Sequence, residues 1–140
     1  MEVDVNRVAR ALALTVLLLS LIGCQSRKQA VVEYLGAAAP LLTEWVDGHL
    51  QATLTDRASL SPVIDDLQII RSRYDALDVP RPCRQMHENV PGSMDYSIDG
   101  FTAKLAGEDD EAVTSLFAMA DAKLSSALED LAELRGEYGD

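Results

Sequence analysis

Four stretches of this chain carry apolar residues at the spacing of one helix face, and nothing else in the sequence constrains the fold as strongly. In residues 28–54 the stripe is Val31, Leu35, Ala38, Leu42, Trp45 and His49. The second stripe is Val63, Leu67, Ile70, Tyr74 and Leu77, and the third is Cys83, His87, Val90, Met94, Ile98, Phe101 and Leu105. The fourth, in residues 109–135, is Val113, Phe117, Ala120, Leu124, Ala127, Leu131 and Leu134. Steps of four and three residues keep side chains on one side of an α-helix, because each residue turns the chain by about 100°. A helix with one apolar stripe has to bury it against other helices. No strand-like alternation, Gly-rich phosphate loop or internal repeat accompanies these stripes.

The boundaries carry their own signals. Thr53-Leu54-Thr55-Asp56 is poor helix sequence and ends the first element. Ser61 as a cap and Pro62 at the first helical position open the second. Pro80-Arg81-Pro82 stops it, and Pro82 opens the third. Gly107 reads as the stop of the third helix. The acids Glu108-Asp109-Asp110-Glu111 favour the positive end of the fourth helix's dipole. They could also be read as calcium ligands, but their spacing is not that of an EF-hand loop. Pro40 and Pro91 fall inside their stripes. Proline removes a backbone donor and clashes one turn back, so the first and third helices are expected to be kinked. Short connections then give an all-α, antiparallel up-down four-helix bundle. Trp45, Tyr74, Phe101 and Phe117, one from each helix, are expected to form a single aromatic layer in its core.

Ahead of the first stripe, an apolar run from Ala11 to Ile22 follows Arg7 and Arg10. As a helix it reaches about 18 Å, whereas a bilayer core needs about 30 Å. That length suits the apolar part of a signal peptide. The run ends in Leu21-Ile22-Gly23-Cys24, which resembles the lipobox of bacterial prolipoproteins. The resemblance covers only these first residues, and Glu2 and Asp4 depart from it by offsetting the two arginines. It implies cleavage between Gly23 and Cys24 and a covalent diacylglycerol lipid on the Cys24 thiol. The chain then divides into a signal peptide (1–23), the lipidated cysteine with a short polar tether (24–29) and a helical bundle domain (30–140). The alternative is an uncleaved anchor helix over residues 8–24, which Arg10 interrupts. Two acyl chains are enough for stable anchoring. The expected place is the extracytoplasmic side of the cell membrane or outer membrane.

Residues 1–23 hold two acids and two bases, so the rest of the chain carries the whole net charge of −11. Nucleic acid is thereby excluded as a partner, because its binding requires a basic surface that releases counterions. With Cys24 lipidated, Cys83 has no intramolecular partner. Cys83 and His87 stand one helical turn apart and could supply half of a zinc or copper site, with Met86 or Met94 as a softer ligand. The same spacing also describes two core residues. His49 falls at the other end of the bundle from His87, so the two histidines are not expected to share a metal. A catalytic thiol–imidazole pair would need a depressed thiol pKa, an open cleft and an oxyanion donor. No enzymatic activity is expected, and no cofactor beyond the lipid. Val32, Val46, Leu50, Ile64, Ile69, Leu116 and Leu128 flank the stripes. Where they stay exposed they would mark a partner surface. The sequence thus points to a membrane-anchored module that binds an envelope protein or an extracellular ligand. Metal binding through Cys83 and His87 is the alternative.

Overall fold

A computed structural model describes residues 5–139 of the chain, with side chains from residue 25 onward. It is an all-α helical bundle. Helix α1 spans Val5–Leu54, α2 Leu60–Asp75, α3 Arg84–Ala106 and α4 Asp110–Tyr138, and short 3₁₀ turns at Arg57–Ser59 and Arg81–Cys83 precede α2 and α3. Among the described residues there is no strand, and no helix is long and apolar enough to cross a membrane. The expectations placed on the Gly23 and Cys24 side chains lie outside those described.

Local chemistry accounts for most of the boundaries. Asp56, rather than Ser61, caps the entry to α2: its carboxylate accepts from the Ser59 backbone N–H at 3.1 Å. Pro62 therefore falls inside the first turn of α2, where the missing donor has no partner to lose. The acidic run before α4 is likewise a cap. Asp109 accepts from the Ala112 N–H at 2.8 Å, and Asp110 and Glu111 follow it in the first turn. Gly107 ends α3 in the left-handed region at φ 80°, and Glu108 N–H reaches back to the Ala103 carbonyl at 3.0 Å. Arg57 covers this end and donates to the Leu105 carbonyl at 2.8 Å. A Cβ at Gly107 would meet only the movable end of the Arg57 side chain, so it is the positive φ that favours glycine there.

Residues 25–29, expected as a polar tether, are helical and lie within α1. Gln25, Arg27, Lys28 and Gln29 are good helix formers, and no glycine or proline interrupts them. Helix α3 runs unbroken through Pro91, as α1 runs through Pro40.

Residue pairs between neighbouring helices fix their order. Tyr34 meets Tyr74 and Gly48 meets Leu67, so residue numbers rise along α1 as they fall along α2. Asn89 bonds Asp130 and Gly100 lies under the Phe117 ring, so α3 and α4 pair in the same opposed sense. A Cβ on Gly100 would come within 3.0 Å of that ring, so glycine here sets how closely α3 and α4 approach. Arg71 holds Asp95 through two bonds of 2.8 and 3.0 Å, and Arg73 pairs with Glu44. Such exposed pairs set register more than stability, at about 0–1 kcal/mol each.

The core lies between α1, α2 and α3. Val31, Tyr34, Ala38, Leu41 and Trp45 of α1, Leu60, Leu67 and Tyr74 of α2, and Cys83, Met94 and Phe101 are all buried. A fully buried side chain of this size stabilises the fold by about 1.5–3 kcal/mol. Tyr34 and Leu41 take the places expected for Leu35 and Leu42, which are only half-buried. Two apolar stripes run side by side on α1, and the one facing α2 and α3 is the deeper.

Candidate functional site

The Cys83–His87 turn sits where α3 begins, against the middle of α1 and the end of α2. Cys83 is fully buried, and burial pushes its thiol up. A nucleophilic or metal-binding thiolate needs the opposite shift. His87 is half-buried. Its Nδ1 lies 3.0 Å from the Tyr34 hydroxyl, which lies 2.9 Å from the Tyr74 hydroxyl. The His87 ring stacks on Tyr74, with centroids 5.0 Å apart and planes 12° apart, and meets Tyr34 edge-on at 5.9 Å.

In the Nε2–H tautomer of a neutral imidazole each hydroxyl hydrogen of this chain has an acceptor, Tyr74 donating to Tyr34 and Tyr34 to Nδ1, whereas the Nδ1–H tautomer reverses both bonds. A protonated His87 would have to donate to Tyr34 and turn the chain round, leaving the buried Tyr74 hydroxyl hydrogen to find another acceptor. Burial also holds the imidazole pKa down, against Asp75 and Glu88, which pull it up. Burial pushes the Tyr34 hydroxyl well above its ordinary range. Tyr34 was absent from the stripes read in the sequence. Its signal is the spacing from Tyr34 to Ala38, Leu41 and Trp45, a second four-three series one residue out of step with the first.

This cluster supplies two ligand types and no third. Among the described residues, no group of three or more His, Cys, Asp and Glu side chains is placed to hold a metal ion. His49 belongs to a different cluster. It lies 5.1 Å from Phe101 and 6.2 Å from both Phe117 and Trp45, and Phe101 meets Phe117 edge-on at 5.0 Å. The single aromatic layer expected from sequence is therefore two layers. Tyr74 lies near the end of α2, and α2 runs back along α1, so Tyr74 falls opposite Tyr34 rather than Trp45.

A third feature is an open edge. Helices α1 and α4 do not close on each other as α3 and α4 do. Between them runs a cavity of about 140 Å³ with Leu35, Ala39 and Leu42 on one wall and Leu124, Leu128 and Leu131 on the other. Met86 and Val90 of α3 form its floor, and Arg135 stands at one end. Leu124 and Leu128 remain 44% and 56% exposed, and Val32, Val46 and Leu50 continue the apolar surface along α1 at 55%, 62% and 57%. Of the other residues flanking the stripes, Ile69 is exposed, Leu116 is half-buried, and Ile64 is buried in the core. Ile64 is covered because α2 is wrapped on more than one side. Comparison of the chain with protein-family models, with curated proteins and with solved structures finds no match.

Proposed function

We propose that this chain is a lipid-anchored extracytoplasmic binding module whose α1/α4 groove holds an amphipathic helix of an envelope partner. The anchor half rests on the sequence Leu21-Ile22-Gly23-Cys24 and places the module on the cell membrane or outer membrane. The binding half rests on one observation. Apolar side chains on both walls of the groove stay about half exposed, at helical spacing, beside an unfilled apolar cavity. Single exposed leucines are ordinary on a protein surface, whereas facing rows of them beside a groove mark a binding surface. A helix laid in the groove would present anchors at steps of three and four residues. Arg135 favours an acidic residue at one end of that helix. The reading includes no catalytic step.

Photo-crosslinking in cells tests it. The full, lipidated chain carries a photo-reactive residue in place of Leu128 or, as a control, in place of the exposed Asp66 on α2. The expected result is one discrete heavier adduct from position 128 only, lost when Leu124→Glu is added. No adduct, the same adduct from position 66, or an adduct at twice the chain's own mass would overturn the partner. Labelled palmitate that is incorporated by the native chain and not by Cys24→Ser checks the anchor separately.

A further inference from the structure

A second cavity, of about 390 Å³, opens at the end of the bundle where α3 begins and α4 ends. Its walls carry opposite charges. Arg27 of α1 and Arg81 of the turn before α3 line one side, and Glu133 and Glu137 of α4 line the other. Among the described residues no ion pair joins these walls. Glu133 and Glu137 stand one turn apart on the same helix face. Two carboxylates at that spacing repel each other, and a cation between them relieves the repulsion. Met86 and Leu134, both buried, make an apolar back to the cavity.

We propose that this cavity binds a zwitterion of the phosphoethanolamine type. A phosphate offers an oxygen to each guanidinium, which is the pairing that arginine geometry favours. A primary ammonium donates to the two carboxylates. A quaternary ammonium could not donate, and it is held instead by a cage of aromatic faces. Among the described residues Tyr138 is the one aromatic lining the cavity, so the site selects phosphoethanolamine over phosphocholine. The ligand has two sources, a free zwitterion or a phospholipid headgroup. The headgroup source rests on the proposed anchor, because Cys24 would hold this end of the bundle at the bilayer. The free source does not depend on it.

Titration calorimetry of the full chain in a non-ionic detergent, with O-phosphoethanolamine as the probe, tests the proposal. The expected result is saturable binding, with O-phosphocholine weaker by about tenfold or more, and with Arg81→Ala and Glu133→Gln each weakening binding by about tenfold. Both substitutions are at exposed positions, and an unchanged helical circular dichroism spectrum checks that the variants fold. No saturable binding at millimolar concentration, equal binding of the two zwitterions, or unchanged binding by both folded variants would overturn the site. In nanodiscs containing phosphatidylethanolamine, weaker binding of the free probe than in phosphatidylcholine discs assigns the cavity to the lipid headgroup. Equal binding in both discs assigns it to the free zwitterion. A Cys24→Ser chain that escapes lipidation but still binds the free probe would separate failure of the anchor from failure of the site.

Discussion

The two histidines of this chain sit in the same bundle and are held in different ways. His87 is fixed by a hydrogen bond to Tyr34 and a stacked Tyr74, at a point where three helices meet over a buried thiol. His49 lies among the rings of Trp45, Phe101 and Phe117. Burial lowers the pKa of both, and each has acids opposing the shift: Asp75 and Glu88 for His87, Asp121 for His49. The same titration behaviour thus comes from two kinds of packing. At His87 the hydroxyl chain specifies one orientation. At His49 the rings specify shape alone, so that end should tolerate changes of chemistry and resist changes of volume.

The largest test of that contrast is Phe101→Ala. Phe101 is 2% exposed and touches both His49 and Phe117. Its removal should cost about 3–5 kcal/mol in chemical denaturation, as a ring-sized cavity opens. A loss below about 1.5 kcal/mol would mean that the rings collapse into the gap and that packing there is loose. At the other end the decisive changes delete single oxygens. Tyr34→Phe strands both the Tyr74 donor and the His87 acceptor, and should cost about 1–3 kcal/mol. Tyr74→Phe removes only a donor, because Tyr34 still bonds His87, and should cost about 0.5–1.5 kcal/mol. Equal losses from the two tyrosines would break the proposed direction of the hydroxyl chain.

Much of this architecture is legible in the sequence, and the exceptions share a cause. The four helices, the Gly107 stop and the helix opening at Asp109 follow from local rules, and each is present. What the stripes do not reveal is which of two adjacent faces on α1 is turned inward. Ala38 and Trp45 belong to both faces, whereas Tyr34 and Leu41 compete with Leu35 and Leu42. Burial by α2 and α3 decides between them, and that is tertiary information. The hydroxyl chain was hidden for the same reason, since it depends on Tyr34 pointing at α2. Cys83 and His87 were visible as a pair, but their spacing alone cannot separate a ligand pair from a packed one. The Asp56 cap was missed because a 3₁₀ turn intervenes before α2. The charged cavity was missed because its walls come from three separate elements that only the fold brings together.

The smallest effect is the sharpest on the comparison itself. Each histidine has its folded-state pKa lowered from 6.5, so between that lowered value and 6.5 the unfolded chain binds more protons than the folded one. Stability is therefore fully present above pH 6.5 and falls as the pH drops below it, levelling off once the folded-state values are passed. Denaturation midpoints measured from pH 7.5 downward should decline on that side; a flat profile would mean that neither imidazole is held neutral. Proton NMR titration then separates the two sites. If Tyr34 donates to a neutral His87, Tyr34→Phe removes that bond, and the His87 midpoint should rise from the value that burial sets while His49 does not move. The acid loss of stability should shrink in that variant by the His87 share alone. If both midpoints moved, the two ends of the bundle would be coupled through the core, and the separate origins assigned to them here would have to be given up.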